Sequence, residues 1–349
     1  MSGTERGAAV RAPRRSWPRY LLGAAGLALV VLTFVLVLPR IADYGDVWTV
    51  VQTLSWRWLA ALAAATVLNV ATFAPPWAVA LPGLGFRRAL VLSQAATALS
   101  IVTPAGAAVG LAGSYGMLRS WGFRGPAVAR AVTLAGVWNQ FANLGFPVCA
   151  LFFLTLDGEV DPALSSAAFV GVALFGAAVA VLGLVLATAR LARDVGGAVA
   201  AVANGVLRRL RRGPVRWGGE EFARFRHDAV DLLRRRWHAL TLATLVGHLT
   251  VFLLLFVALR ALDVSAGEVS VAEAFAAWSL ARILGAIPIT PGGIGVIELS
   301  LTATLIGFGG SNAGVVAAVL VYRFLAVAPT LLLGGLAALT WRTHHPQRV

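Results

Sequence analysis

The sequence predicts an all-α integral membrane protein with about six full transmembrane helices and two re-entrant hairpins. The first observation is composition: 59% of the 349 residues are hydrophobic and only 13% are charged, whereas about a quarter of the residues in a soluble domain are charged. The second is a series of apolar runs of about 20 residues, the length that crosses a bilayer. The third is a pair of apolar stretches, each interrupted by a Thr-Pro-x-Gly break.

The net charge of +14 comes from arginines concentrated in the tails and connecting segments, and the chain contains no lysine. Such clusters orient membrane helices by the positive-inside rule and contact anionic headgroups, so we expect lipid partners and no nucleic acid. Cys149 is the only cysteine, which excludes an intrachain disulfide and a thiolate metal cluster. The five histidines lack the spacing of a metal site, and we expect neither a metal nor another cofactor.

Charged and apolar segments divide the chain into a basic tail (residues 1–19), a membrane domain (residues 20–340) and a short second tail (residues 341–349). The segment 190–237 holds twelve arginines against five acidic residues and predicts a cytoplasmic loop, in which residues 222–237 have the pattern of an amphipathic surface helix. Both termini would then be cytoplasmic, in a multi-pass protein of the plasma membrane. The predicted full crossings are residues 20–38, 58–81, 126–156, 163–189, 239–259 and 313–339.

Each Thr-Pro-x-Gly break lies between two apolar runs, 90–102 and 107–118 in the first stretch and 271–289 and 294–308 in the second. As helices, the runs of the first stretch would be about 20 and 18 Å long, less than the roughly 30 Å of the hydrocarbon core. The simplest geometry is a re-entrant hairpin that enters and leaves on one side. A non-helical turn at that depth must be surrounded by protein or by a water-filled cavity.

The two interrupted stretches share an order of features that predicts an internal repeat. In each, the break is followed by a short helix, a Gly-Phe pair (122–123 and 307–308) and a long helix. The charges place the open ends of the two hairpins on opposite sides. The halves 20–156 and 163–340 would therefore form an inverted repeat, as in many secondary transporters. The alternative is that proline and glycine only kink ordinary packed helices.

Three charged residues of the second half, Arg282, Glu298 and Arg323, lie inside apolar runs. An ionised group at the bilayer centre costs at least ~2.5–3.5 kcal/mol, so these side chains need partners or a wet cavity. We predict that Arg282 pairs with Glu298, which leaves Arg323 without a counter-charge beside a helix break. The resulting positive charge would suit a phosphate or carboxylate, because a guanidinium is well shaped for phosphate. The alternative is a structural ion pair, with Arg323 extending to the membrane surface.

We predict a binding site between the two hairpins, with Arg282 and Arg323 receiving a phosphate and Glu298 acting as counter-charge or proton acceptor. The other predicted members of this site are the residues of the two breaks: Thr103, Pro104, Gly106, Thr290, Pro291, Gly292, Gly293 and Gly295.

Six more polar residues interrupt apolar runs, and interhelical hydrogen bonding is the expected role for most of them. No sequence motif of a serine hydrolase, a zinc protease or a nucleotide-binding loop is present, so transport or binding is favoured over catalysis. The six residues are Asn69, Gln94, Asn139, Gln140, Asn143 and His248.

The segment 289–298, Ile-Thr-Pro-Gly-Gly-Ile-Gly-Val-Ile-Glu, resembles the lysylphosphatidylglycerol synthase transmembrane region, also called the flippase-like membrane family. Its members carry a Pro-Gly-Gly-x-Gly-x-x-Glu pattern near their C-terminal end. The first hairpin, followed by Arg119 and Gly122-Phe123-Arg124, lies where the family has an earlier Pro-Gly motif. That earlier motif usually adds a basic residue and a glutamate, whereas residues 105–110 here carry no charge.

The resemblance implies a flippase-like protein that binds or translocates an anionic phospholipid or a polyprenyl-linked lipid. In the family, this membrane region is associated with moving aminoacylated lipids between leaflets when it is fused to a soluble synthase domain, which this sequence does not contain. Two alternatives stay open: a membrane-embedded glycosyl or aminoacyl transferase, and a non-transporting scaffold for a partner membrane enzyme.

Overall fold

The computed structural model describes residues 52, 54–103, 106–156, 162–209, 213, 218–286 and 291–340. This part of the chain folds into eleven α-helices and one short 3-10 turn, Pro291–Gly293. The helices are α1 (Trp56–Thr72), α2 (Pro75–Ala80), α3 (Phe86–Val102), α4 (Gly106–Ser120), α5 (Gly125–Leu156), α6 (Pro162–Ala187), α7 (Ala189–Arg209), α8 (Gly219–Ala261), α9 (Val271–Ala286), α10 (Val296–Gly307) and α11 (Asn312–Thr340).

The described residues contain five segments long and apolar enough to cross a membrane. They coincide with five of the six predicted crossings, and the sixth, residues 20–38, lies outside the described residues. The chain is therefore a multi-pass membrane protein. The prolines act as expected in the first of these segments, because α1 ends before Pro75 and α2 begins at it, where a proline needs no hydrogen-bonded N–H.

The arginine-rich segment differs from the predicted loop. Residues 222–237 do not form a separate surface helix, because α8 runs without interruption for 43 residues from Gly219 to Ala261. At 1.5 Å per residue this helix is about 64 Å long, roughly twice the hydrocarbon thickness. No proline or glycine separates Trp237 from Ala239, so the backbone has no reason to end the helix there. The N-terminal half of α8 forms an arm with α7, which packs along it.

The first interrupted stretch folds into a pair of packed helices, α3 and α4, which we call hairpin 1. α3 is longer than predicted and starts at Phe86. Glycines on one face of α4 bring the two helices close together. A Cβ atom at Gly110 would lie 2.2 Å from Ser100 Oγ, and one at Gly113 would lie 2.7 Å from Leu99 Cδ1. Small residues of this kind allow close helix packing in membrane proteins.

The second interrupted stretch also folds into a packed pair, α9 and α10, which we call hairpin 2. A capping box starts α9: Ser270 N donates to Glu273 Oε2 at 2.7 Å, and Glu273 N donates to Ser270 Oγ at 3.2 Å. The chain then passes through the Pro291–Gly293 turn into α10, which has only 12 residues.

The helices of the two halves pack reciprocally. α3 of hairpin 1 packs against α11, the last helix of the second half, and α9 of hairpin 2 packs against α5, the last helix of the first half. α1 packs against α8 in the same way. The centre of the bundle is filled by edge-to-face and stacked aromatic rings contributed by α5, α8 and α9: Phe146, Phe252, Phe275 and Trp278.

Candidate functional site

The turn of hairpin 2 depends on glycine. Gly292, Gly293 and Gly295 have φ values of 62°, 67° and 83°, in the left-handed region that side chains with a Cβ disfavour. Space is also limited, since a Cβ at Gly293 would lie 2.9 Å from Ile297 Cδ1. The glycines therefore let the backbone turn sharply just before α10.

Hairpin 1 reaches this turn through Ile101, in the last turn of α3. A Cβ at Gly292 would lie 3.1 Å from both the carbonyl oxygen and the Cγ2 atom of Ile101. Thr103 ends α3, and its hydroxyl donates to Leu99 O at 2.5 Å. The tips of the two hairpins are therefore in direct contact.

Glu298 pairs with Arg323 and not with Arg282, so the predicted pairing is wrong. Arg323 Nε donates to Glu298 Oε1 at 2.5 Å, and Nη2 lies 3.4 Å from Gly292 O. The other carboxylate oxygen, Oε2, accepts from Gly295 N at 2.6 Å, which caps α10. The two side chains are 12% and 8% exposed, so Arg323 does not extend to a surface. The pair connects α10, α11 and the turn.

Arg282 is held by polar side chains. Its Nη2 donates to Asn143 Oδ1 at 2.7 Å and lies 2.9 Å from His248 Nδ1, while Nε lies 3.3 Å from Asn143 Oδ1. The guanidinium carbon also lies 5.1 Å from the ring centre of Trp278, which adds a cation–π contact. Within the described residues, Arg282 forms no salt bridge. Its charge therefore has no carboxylate partner there.

The contact with Arg282 also fixes the form of His248. A guanidinium nitrogen can only donate, so Nδ1 of His248 accepts and the ring is neutral with its proton on Nε2. The imidazole is 2% exposed and meets the rings of Phe73 and Phe146 edge-on, at 5.8 Å between centres in each case. His248 therefore orients Arg282 without adding a second charge beside it.

A cavity of about 290 Å³ lies where hairpins 1 and 2 meet α1, α5, α8 and α11. Both Arg282 and Arg323 form part of its wall, and Glu298 does not. The remaining wall combines polar and apolar side chains. These are Asn69, Phe73, Gln94, Thr97, Ile101, Asn139, His248, Val251, Trp278, Ile297, Leu301, Tyr322, Ala326, Val327 and Thr330.

The structure brings only part of the predicted site together. Arg282 and Arg323 face the cavity, and Glu298, Gly292 and Gly295 contact Arg323 or its partner. Thr103 and Gly106 lie at the tip of hairpin 1 and do not line the cavity. Gly293 and the backbone of Pro291 belong to the turn. Thr290 and Pro104 lie outside the described residues.

The polar residues expected to form interhelical hydrogen bonds contribute more to the cavity than predicted. Asn69 donates to Thr250 Oγ1 of α8 at 3.3 Å, and Gln94 donates to Val70 O of α1 at 3.3 Å, as expected. Asn143 and His248 contact Arg282. Asn139 and Gln140 bond within α5, which is not an interhelical contact. Four of the six, Asn69, Gln94, Asn139 and His248, line the cavity.

Sequence reasoning missed several wall residues: Thr97, Trp278, Tyr322 and Thr330. Thr97 lies three residues after Gln94, and Tyr322 lies beside Arg323. This closeness in sequence to polar positions of the same helices could have indicated that Thr97 and Tyr322 line the same cavity. The described residues contain no group of three or more histidine, cysteine or acidic side chains that could hold a metal ion.

Comparison with known protein families gives one match. No curated protein matches the chain. The family model described as the lysylphosphatidylglycerol synthase TM region matches residues 23–334, which is most of the sequence and includes both hairpins and the cavity. The chain therefore belongs to the lysylphosphatidylglycerol synthase transmembrane-region family, a family of membrane proteins related to lipid handling.

Proposed function

We propose that this protein is a flippase-like lipid transporter that binds an anionic phospholipid or a polyprenyl-linked lipid by its phosphate. The observation that carries the proposal is Arg282, a guanidinium in the cavity wall with no carboxylate partner among the described residues. Burial of an uncompensated charge is costly, and an anionic group in the cavity would offset that cost. Arg323, although paired, faces the same space.

The surroundings of the cavity support a lipid over a fully soluble anion. Apolar side chains such as Val251, Leu301 and Val327 share the wall with the arginines, and an amphiphile has both kinds of surface. The family to which the chain belongs is also related to lipid handling.

The reciprocal packing of the helices supports a transport route between the hairpins. Many secondary transporters consist of two halves that are inserted in opposite senses. Each half contributes a broken helix near a shared binding site. We infer that hairpins 1 and 2 are the re-entrant elements of an inverted repeat. Movement at their contact would open the cavity first to one side of the membrane and then to the other. We further propose that the protein lies in the plasma membrane with both termini in the cytoplasm, on the basis of the arginine-rich arm.

A liposome assay tests this function. Purified protein is reconstituted with headgroup-labelled phosphatidylglycerol, and label protected from a membrane-impermeant quencher is followed over time. We expect Arg282→Ala to slow translocation by about tenfold to a hundredfold, because a hydrogen bond to a charged group contributes about 1.5–3 kcal/mol. Glu298→Gln should also slow it. Arg224→Ala is the control, since Arg224 is exposed on the arm and bonded to Glu221.

The same preparation separates the alternatives. Translocation by the wild-type protein that is lost in Arg282→Ala supports transport. Formation of a new lipid product from an activated sugar or aminoacyl donor would support the transferase. Absence of both activities in folded, monodisperse protein would overturn the transport proposal and favour a scaffold.

A further inference from the structure

We propose that α7 docks on the surface of the lipid bilayer, with an exposed apolar stripe inserted among anionic lipids and its arginines bound to their phosphates. The docking surface belongs to the arm and shares no residue with the cavity between the hairpins. The inference therefore does not depend on the proposed transport activity. It follows from the side chains around α7, from the charge of the arm and from the connection between α6 and α7.

One side of α7 packs against the first turns of α8. A Cβ atom added to Gly196 would lie 2.4 Å from a side-chain atom of α8. Gly219, the first residue of α8, lies against the backbone of Arg193. Further along α8, Arg226 Nη2 donates to the carbonyl oxygen of Ala187, which precedes α7, at 2.8 Å. The two helices are therefore antiparallel, and the second half of α7 extends beyond the start of α8.

A second side of α7 carries the exposed apolar stripe. At about 100° per residue, its members lie within about 100° of the helix circumference. The side chain of Val202 is 69% exposed, and those of two other members are exposed as well. Apolar side chains gain free energy on leaving water, so a stripe of this kind is suited to being covered. The stripe consists of Leu191, Val195, Ala198, Val199 and Val202.

The remaining side of α7 is basic. Arg190, Arg193 and Arg208 lie on the side of the helix away from the stripe, and Asp194 is the only acidic residue of α7. A helix with one apolar face and one basic face is typical of the membrane interface. This pattern, predicted for residues 222–237, is therefore found on α7.

The charge of the arm indicates what covers the stripe. The segment 190–237 contains twelve arginines and five acidic residues. A second copy of the arm would bring the same excess of positive charge, and like-charge repulsion disfavours that contact. An anionic membrane surface has the complementary charge and attracts basic segments that lie beside it.

The connection between α6 and α7 favours a bilayer over an acidic protein. α6 contains a membrane-crossing segment, Phe169–Ala187, of which no residue is buried within the protein. Only Thr188 separates α6 from α7. A helix joined to a membrane span by one residue begins where the bilayer ends. The break at Thr188 allows the helix axis to turn along the membrane surface, and Arg226 bonds the carbonyl oxygen at the end of α6.

The test measures the depth of two positions of α7 in lipid nanodiscs. Cys149, the only cysteine, is replaced by alanine, and Val202→Cys or Gly197→Cys is labelled with a fluorophore. Gly197 is the matched control, because it is exposed on the basic side and an added Cβ would have nothing within 4 Å. Quenching by lipids with a nitroxide below the headgroup is measured in phosphatidylcholine discs with and without phosphatidylglycerol, and thermal unfolding verifies the fold.

We expect the label at position 202 to be quenched severalfold more than the label at position 197 when phosphatidylglycerol is present. Arg190→Gln and Arg208→Gln should each lower the ratio of docked to undocked α7 by about fivefold, because one arginine beside an anionic surface contributes about that factor. Arg124→Gln removes the same charge at an exposed position outside the arm and should leave the ratio unchanged.

Three results would overturn the proposal. Equally weak quenching of both labels would show that the stripe does not meet the acyl chains. A label at position 202 that is shielded from water but not quenched, with a disulfide-linked dimer formed by unlabelled Val202→Cys, would assign the stripe to a second copy. Quenching that is the same with and without phosphatidylglycerol would remove the preference for anionic lipids. None of these results bears on translocation, which the liposome assay measures separately.

Discussion

Ile101 of hairpin 1 packs directly against Gly292 of hairpin 2, so closely that a Cβ at position 292 would lie 3.1 Å from the Ile101 carbonyl oxygen. The two residues belong to different halves of the chain, and their contact joins the two helix breaks. Arg323 Nη2 lies 3.4 Å from the carbonyl oxygen of Gly292. Movement of the contact between Ile101 and Gly292 would therefore change the surroundings of the Arg323 guanidinium, which is paired with Glu298.

Gly292→Ala is expected to destabilise the protein by about 2–4 kcal/mol, because a left-handed residue with a Cβ costs about 1–2 kcal/mol and crowding of Ile101 adds about 1–3 kcal/mol. Gly295→Ala has positive φ but nothing within 4 Å of the added atom, so only the first cost applies. Thermal unfolding in detergent measures both.

Gly176→Ala is the matched control for this pair, since Gly176 lies within α6 and an added Cβ there would have nothing within 4 Å outside the helix's own backbone. We expect this variant to be neutral or slightly more stable, because alanine favours a helix over glycine. An unfolding temperature for Gly292→Ala equal to that of Gly295→Ala would show that Ile101 does not limit the space at the turn.

The sequence was sufficient to place most helices and the two breaks. The length of the apolar runs indicates which segments cross the membrane. Pro75 and the two Thr-Pro-x-Gly segments indicate where helices end, because proline restricts the backbone. The continuity of α8 was missed because its charged and apolar halves were assigned to different environments. A helix crosses such a boundary freely when no residue breaks it.

The partners of the buried charges could not be predicted from the sequence. Glu298 is closer in sequence to Arg282 than to Arg323, and α10 packs against both α9 and α11, yet Glu298 pairs with Arg323. Likewise, Asn143 and His248 were recognised as polar residues in apolar helices, but only tertiary packing brings them both to Arg282.

The Arg323–Glu298 pair is expected to be strongly coupled. The side chains are 8% and 12% exposed, and removal of one partner from a buried pair costs about 3–5 kcal/mol. We expect Glu298→Gln and Arg323→Gln each to lower the unfolding temperature markedly. The double variant should be less destabilised than the sum of the two, because each single variant leaves one buried charge unpaired and the double variant leaves none.

A double-mutant cycle on Arg193 and Glu220 is the control. This pair has a similar geometry at 3.1 Å but is 48% and 75% exposed, and exposed pairs contribute about 0–1 kcal/mol. We expect the stability changes of the Arg193 and Glu220 variants to be additive. Additive stability changes at Glu298 and Arg323 would contradict a buried and coupled pair.

Hairpin 1 is expected to depend on Gly106 at the start of α4. An added Cβ there would lie 1.8 Å from the carbonyl oxygen of Ser100, and a backbone atom cannot move aside without opening the hairpin. We expect Gly106→Ala to cost about 3 kcal/mol or more and to increase proteolysis near the tip.

Gly116→Ala tests the same helix at a position with nothing within 4 Å of the added atom. It should retain the stability and the protease resistance of the wild-type protein. Equal behaviour of the two variants would mean that α3 and α4 are not held at the distance observed here.

Asn143→Asp is expected to remove the anion preference of the cavity without unfolding the protein. Asn143 Oδ1 lies 2.7 Å from Nη2 and 3.3 Å from Nε of Arg282, so an aspartate of the same size would form a charge-assisted pair with the guanidinium. That pair would neutralise the one cation of the wall that has no carboxylate partner among the described residues. Binding of phosphatidylglycerol should fall about tenfold or more, while the unfolding temperature stays the same or rises.

Asn312→Asp is the control for this variant, because it makes the same chemical change at the exposed first residue of α11 and alters the net charge equally. Native mass spectrometry of both variants with phosphatidylglycerol and phosphatidylcholine measures the preference, and thermal unfolding verifies the fold. A general charge effect would weaken anion binding in both variants. Unchanged phosphatidylglycerol binding by folded Asn143→Asp would show that Arg282 does not receive the phosphate, because a neutralised guanidinium has lost most of its attraction for an anion.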